Sequence, residues 1–337
     1  MRAMVLSAPG QLMLGEVELP RLEASQVRIK VTHTGVCGTD LKIFNGAIPV
    51  RYPLVMGHEV VGEVVECGKN PAVQIGDRVI IDPMVFCGAC FHCRIGQTNL
   101  CPSGVILGRD ADGGFAEYIV APATNVFRLP LSINSQTAPL IQVMTTCLHA
   151  QRLTQLFPGE SVVVVGLGVT GQLHVQLAKA RGAGPVIGIS RSGFKGELAK
   201  QLGADITLQS GKGLVDRVLN ATAGRGADLV IETTGKVEAL ADALNMARPG
   251  GRLLLFGINT ATEGSLPFYQ LYFKELALFN ARAAKGEDFA SSIDLVQRGV
   301  VRLEPLVTHT LPFRELKQGI EMLGSDVDGR LKVIIDH

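Results

Sequence analysis

The stretch that decides the fold is Ser161–Gly171, SVVVVGLGVTG. Four consecutive valines form a short continuous apolar run, the pattern of a strand buried on both faces. The run ends in Gly166, Gly168 and Gly171, a G-x-G-x-x-G spacing, and continues into the helix-patterned LHVQLAKARG. Strand, glycine turn and helix follow in the order that a dinucleotide-binding unit requires. In such a unit the first glycine permits the turn and the second lets the backbone approach a pyrophosphate. The third packs helix against strand, and the helix N-terminus, here Val169 and Thr170, favours the phosphate charge. The competing reading is a structural turn without a ligand, because glycines at these spacings also occur in ordinary turns. The flanking strand and helix favour the first reading.

Outward from this turn the alternation continues. PVIGIS, DITLQ, DLVIETTG and GRLLLFG are further short apolar strands, separated by GELAKQLGA, LVDRVLNATAG and VEALADALNMARPGG as helices. Several of these helices end at Gly or Pro. The pattern predicts a doubly wound parallel sheet with helices on both faces. At the end of its second strand stand Ser190, Arg191 and Ser192, with Lys195 nearby. An NAD-selective site usually places a carboxylate there. Here no carboxylate would repel a 2′-phosphate, while a guanidinium and two hydroxyls can receive one, so NADP(H) is the expected cofactor. Lys195 could add a second positive charge or be a solvated lysine.

The first 120 residues read differently. VRIKVTHTGV alternates with period two, HEVVGEVVECG is rich in β-branched residues, and DRVIIDP follows a Gly-Asp turn. The tail from about Asp288 is mixed, with helices in SSIDLVQRG and RELKQGIEML and a final strand LKVIID. The 337 residues carry 32 basic and 31 acidic side chains, a net charge of +1 that suggests neither a nucleic-acid surface nor an acidic partner. No apolar run reaches membrane-span length and no targeting segment is visible, so a soluble, cytoplasmic protein is expected.

Seven cysteines are an odd number, and four crowd into CGACFHCRIGQTNLC. Cys87, Cys90, Cys93 and Cys101 follow a C-x2-C-x2-C-x7-C spacing. Four soft thiolates favour tetrahedral zinc with no open position, a structural role. Two disulfides or four buried thiols are the alternatives, and His92 inside the loop is expected at the surface. A second constellation joins Cys37 in GVCGTDL to His58 and Glu59 in MGHEVVGEVVECG. A lone Cys or His is most often core, but together one thiolate and one imidazole leave a zinc ion with room for a substrate.

The order CGTD, GHE, clustered cysteines, DGGFAEY, strand–GLGVTG–helix and terminal GRLKVII resembles the zinc-containing medium-chain alcohol and polyol dehydrogenases over essentially the whole chain. The resemblance implies an α/β protein in which a GroES-like β-rich catalytic domain, residues 1–150 completed by 288–337, is interrupted by a Rossmann domain, residues 151–287. It implies Cys37 and His58 as ligands of a catalytic zinc at the cleft between domains, and the four clustered cysteines as a structural zinc site. Thr39 matches the hydroxyl that contacts the reacting oxygen, and Asp40 the carboxylate that orients the histidine ligand. Thr146 matches the residue against the nicotinamide. The resemblance also implies a small alcohol or carbonyl substrate and a homodimer or homotetramer.

Two positions depart from the family pattern. Where a Cys, Asp or Glu supplies a further zinc ligand, this chain has Gln142, a neutral amide. Cys147 lies roughly 140° around a helix from Gln142, and His149 about 10 Å along it, so neither replaces it. Glu59 is the better third ligand, with Gln142 bound weakly or through water as the alternative. The second departure is Lys42, where the family often has the outer histidine of a proton relay. Lysine stays protonated to about pH 10 and cannot take that role unless its pKa is strongly lowered. It could hold a phosphate or face water. Phe44, Tyr52 and Phe86 are candidate pocket residues that could equally be core. A zinc-independent quinone or enoyl reductase and a non-catalytic NADPH-binding protein remain alternative readings.

Overall fold

The computed structural model describes residues 1–69, 72–325 and 329–337. The chain divides into two compact units. One comprises Met1–Val143, Ala284–Arg298 and Leu303–His337, and the other Met144–Ala283 with Gly299–Arg302. The expected boundary at 150/151 lies seven residues later than this division, inside the helix Leu140–Leu153. Ala150 is fully buried among Val162, Val164 and Val175, so the body of that helix packs into the second unit's core. The expected return at 288 likewise falls inside a helix, Gly286–Gln297. Its Phe289 stacks on Phe127 with ring centroids 5.0 Å apart, which places the helix in the first unit.

The second unit is built on a six-stranded parallel sheet. Its order is Ile206–Gln209, Val186–Ser190, Val162–Val165, Ala227–Glu232, Ala247–Leu255 and Ala277–Asn280. The four valines explain the layering. Val162 and Val164 enter one core with Val175 and Ala178, whereas Val163 and Val165 enter another with Val218 and Leu244. Alternate side chains of one strand thus bury against helices on opposite faces, as a doubly wound sheet requires. The sixth strand, ALFN, lies at the sheet edge and was not among the expected elements.

The first unit is antiparallel for the most part. Gln26–Val36 is its longest strand, pairing with Glu59–Cys67, Tyr118–Pro122 and the terminal Lys332–Asp336. The terminal strand therefore lies directly beside the strand that delivers Cys37. Among the described residues no helix is long and apolar enough to cross a membrane.

Candidate metal centres and dinucleotide turn

Cys37 is the N-cap of the short helix Gly38–Phe44, directly after the strand Gln26–Val36. The third helical residue, Asp40, turns its carboxylate back so that Oδ2 accepts the Cys37 backbone N–H at 2.8 Å. Its other oxygen lies 3.4 Å from His58 Nδ1, and Asp40 is fully buried. One carboxylate thus fixes both the thiol-bearing turn and the imidazole. His58 arrives on the loop before the strand Glu59–Cys67. That loop is tied to the DGGF segment by backbone bonds from Gly113 to Val55, Gly114 to Gly57 and Phe115 to Met56, each 2.7–2.9 Å. The DGGF motif therefore braces the loop that carries His58.

Ligand atoms of Cys37, His58 and Glu59 lie within 4.8 Å of one another. His58 and Glu59 are buried, and Cys37 is half-buried. Burial alone would lower the imidazole pKa, but the Asp40 carboxylate and Cys37 thiolate outweigh it and raise it well above its ordinary value. Thr39 sits half-buried in the first turn of the same helix. Lys42 occupies its last turn, also half-buried rather than fully solvated. Phe44 and Tyr52 pack with Ile43, Met56 and Phe115 in the core, while Phe86 is partly exposed. Gln142 is half-buried in the first turn of the helix Leu140–Leu153. Cys147, farther along that helix, is buried with its thiol on the Thr170 carbonyl, and burial pushes that thiol's pKa up.

The second cluster holds four free thiols. Sulfur separations are 4.0 Å for Cys87–Cys93, 3.4 Å for Cys90–Cys93, 3.9 Å for Cys90–Cys101 and 3.6 Å for Cys101–Cys87. Four sulfurs about 2.3 Å from one zinc ion would stand about 3.8 Å apart, so the set fits a closed tetrahedral site. Backbone N–H groups of Ala89 and Cys90 pull the Cys87 thiol down to about 6, which readies one thiolate. Desolvation and the neighbouring sulfur of Cys90 push Cys93 the other way. His92 turns to Gln97 at 3.1 Å, and its ring is not part of the cluster.

In the second unit, Gly166 has φ +92°, and a Cβ there would meet Thr233 and Thr234 at 2.7 Å. A Cβ on Gly171 would stand 1.9 Å from the Gly166 carbonyl, so the helix Val169–Ala180 can approach the strand only through a glycine. Gly168, the N-cap, faces open space, as a backbone meant to receive a ligand should. Thr170 and Thr146 are half-buried. Ser190 closes its strand, buried, and its hydroxyl accepts the Ser192 N–H at 3.0 Å. Arg191 is exposed, and Ser192 caps the helix Gly193–Gln201. Lys195 is half-buried, its carbonyl accepting the Gln172 side-chain amide at 2.8 Å.

Three residues escaped the sequence reading. Thr233 and Glu232 brace the glycine turn from the neighbouring strand, Glu232 accepting the N–H groups of Thr234 and Gly235. The signal was the polar ETTG at a strand end, in register with Val165. Lys332 pairs with Glu59, and its signal was a lysine inside an apolar terminal strand.

A Rossmann sheet with this glycine turn, joined to a β-rich unit with Cys, His and Glu in one pocket, defines an alcohol dehydrogenase-type oxidoreductase. Residues 23–131 match the alcohol dehydrogenase GroES-like domain and residues 168–298 the zinc-binding dehydrogenase domain. The chain is 35% identical to an L-threonine 3-dehydrogenase from Pyrococcus abyssi, covering 94% of this chain and 93% of that protein. A solved Escherichia coli alcohol dehydrogenase (rspB) complexed with NADH superposes with a TM-score of 0.93 at 31% identity, covering 100% of this chain and 99% of that one. A zinc-binding dehydrogenase from Sinorhizobium meliloti bound to NADP gives 0.93 at 29% identity, with the same coverages. The chain belongs to the zinc-containing medium-chain dehydrogenase/reductase family.

Proposed function

We propose that the protein is a zinc-dependent alcohol dehydrogenase and carbonyl reductase that moves a hydride between NADP(H) and an alcohol or carbonyl. The observation that carries this reading is the convergence of Cys37, His58 and Glu59, three donors that would leave a tetrahedral ion one open position. Cys37 and His58 would hold the ion with Glu59 as third ligand, Gln142 serving directly or through water if Glu59 does not. When bound, zinc supplies Lewis acidity, polarising a carbonyl or lowering the pKa of an alcohol. Asp40 keeps the His58 ring in its ligating orientation. The Thr39 hydroxyl, two residues beyond Cys37, accepts the substrate's proton and hands it on toward solvent.

The glycine turn and the N-terminus of the helix Val169–Ala180 would hold the pyrophosphate. Arg191 and the Ser192 hydroxyl would take the 2′-phosphate, and no acidic residue stands at this strand end to oppose it. By resemblance Thr146 would lie against the nicotinamide, which would supply or accept the hydride when bound. The threonine dehydrogenase relative makes amino alcohols the first substrates to try. Self-association as a homodimer or homotetramer belongs to the same reading, supported by the exposed Phe268, Tyr269, Tyr272 and Phe273.

The test is a panel of alcohols, amino alcohols, polyols and carbonyls assayed with NADPH and NADH on metal-analysed protein. Two zinc ions per chain and a higher kcat/KM with NADPH are expected. Cys37→Ser should abolish turnover while NADPH binding persists. Full turnover in that variant defeats the metal half of the reading, and a clear NADH preference defeats the cofactor half.

A further inference from the structure

Lys332 opens the terminal strand, yet its side chain is only 4% exposed. A buried ammonium is tolerated only where charge and hydrogen bonds compensate for its lost hydration. Two groups do so here. The Val36 carbonyl accepts from Nζ at 3.0 Å, and Glu59 Oε2 forms an ion pair with it. Val36 immediately precedes Cys37, and Glu59 immediately follows His58. A single ammonium therefore ties together the two segments that carry the metal-binding side chains.

Room for this contact is made by Gly35, which lies opposite Glu59 across the strand pair. A Cβ at Gly35 would stand 1.9 Å from Glu59 Oε2 and 2.8 Å from Lys332 Cε. Both carboxylate oxygens are buried without a hydrogen bond, and of the two Oε2 has the ion pair. An unpartnered charged oxygen with no exposure is costly unless something else occupies its lone pairs. Glu59 is also one of the three residues whose ligand atoms converge.

We propose that Lys332 pairs with Glu59 through Oε2, leaves Oε1 for the metal, and offsets the carboxylate's charge at the centre. This rests on the reading of Glu59 as third ligand. A dication held by a thiolate and a carboxylate alone would be fully neutralised. With the ammonium beside it, the carboxylate's charge is partly offset, so the ion stays more electrophilic than the two anionic ligands alone would leave it. The chain can thus use an anionic third ligand where Gln142 cannot provide one, without quenching the ion. A purely structural tie between strands would explain the Val36 bond, but not why the second partner is a metal-binding carboxylate.

The experiment is zinc affinity by chelator competition, with the visible spectrum of the cobalt(II)-substituted protein, on the full chain. Variants are Lys332→Met, Lys332→Arg, Glu59→Gln and the Lys332→Met/Glu59→Gln pair. Removing the like charge should tighten zinc binding in Lys332→Met about tenfold. It should also alter the cobalt spectrum, and Lys332→Arg should restore both. In the Glu59→Gln background the Lys332→Met change should have little effect. An unchanged or weaker zinc affinity in Lys332→Met, or an equal gain with and without Glu59, overturns the proposal. If Glu59→Gln alone alters neither zinc affinity nor the cobalt spectrum, the ligand reading itself fails. The pair variant, which buries no lone charge, keeps the comparison meaningful if Lys332→Met folds poorly.

Discussion

Thr233 holds the backbone of Gly166 from the neighbouring strand. Its Oγ lies 2.9 Å from both the Val165 and the Gly166 carbonyls, a shared hydrogen bond across the parallel pair. The same hydroxyl lies 2.7 Å from where a Cβ on Gly166 would fall. It sets the entry to the glycine turn without being at the turn's open side. Thr233→Val keeps the shape and removes the donor. A net hydrogen bond of about 1 kcal/mol predicts a rise of about fivefold in the dinucleotide Kd, with metal content unchanged. Calorimetric titration of NADPH into both proteins checks this, and equal affinities would show that the turn holds itself.

Arg191 directly follows the strand Val186–Ser190, and it is exposed. Arg191→Gln should lower kcat/KM for NADPH about tenfold and leave that for NADH nearly unchanged. Because the contact is solvent-facing, the loss should shrink as salt is raised. Equal losses with both cofactors would mean that Arg191 supports the turn and does not read the 2′-phosphate.

The sequence made some of this plain and hid the rest for physical reasons. The valine run, the glycine spacing and the cysteine spacing are each local, so they are legible along the chain. The strand Ala277–Asn280 was not, because of its four residues Phe279 packs on the core while the others lie exposed at the sheet edge. Leu278 is 41% exposed, and the flanking Ala277 and Asn280 are exposed as well. Gly38–Phe44 read as a motif and not as a helix, because it is short and starts with glycine. Lys332 and Thr233 act across strand pairs, and only the fold shows that Lys332 reaches a residue more than 270 positions away. Helix geometry turns Cys147 away from Gln142, and its thiol lies on the Thr170 carbonyl at 3.8 Å.

Asp40 is tested by Asp40→Asn. The amide oxygen can still accept the Cys37 N–H, but the negative charge facing His58 at 3.4 Å is lost. Partners that orient a ligating imidazole typically contribute about 10- to 100-fold in metal affinity. Zinc dissociation at the Cys37 centre should accelerate accordingly while the four-cysteine site keeps its ion. Element analysis after timed chelation distinguishes the two sites, and loss of both ions at one rate would mean that the substitution merely loosens the fold.

Asp82 carries the pH prediction. It ends the segment DRVIID, almost wholly buried, with Oδ1 accepting the Met84 N–H at 2.9 Å. Burial, with the carboxylate of Asp288 adding to it, raises its pKa to about 7 against the bond from Met84. The unfolded chain gives up this proton near pH 4, whereas the folded chain keeps it to about 7. Between those values the folded state binds more protons, so stability is complete at the acid end and falls as pH rises. At one pKa unit per about 1.4 kcal/mol, the loss by pH 8 reaches at most about 4 kcal/mol. Asp82→Asn keeps the acceptor for Met84 and cannot ionise. It should exceed the parent by about 1–2 kcal/mol at pH 5 and by more at pH 8, as followed by urea titration at both values. Parallel shifts of the two proteins across that range would mean that Asp82 does not hold its proton in the fold.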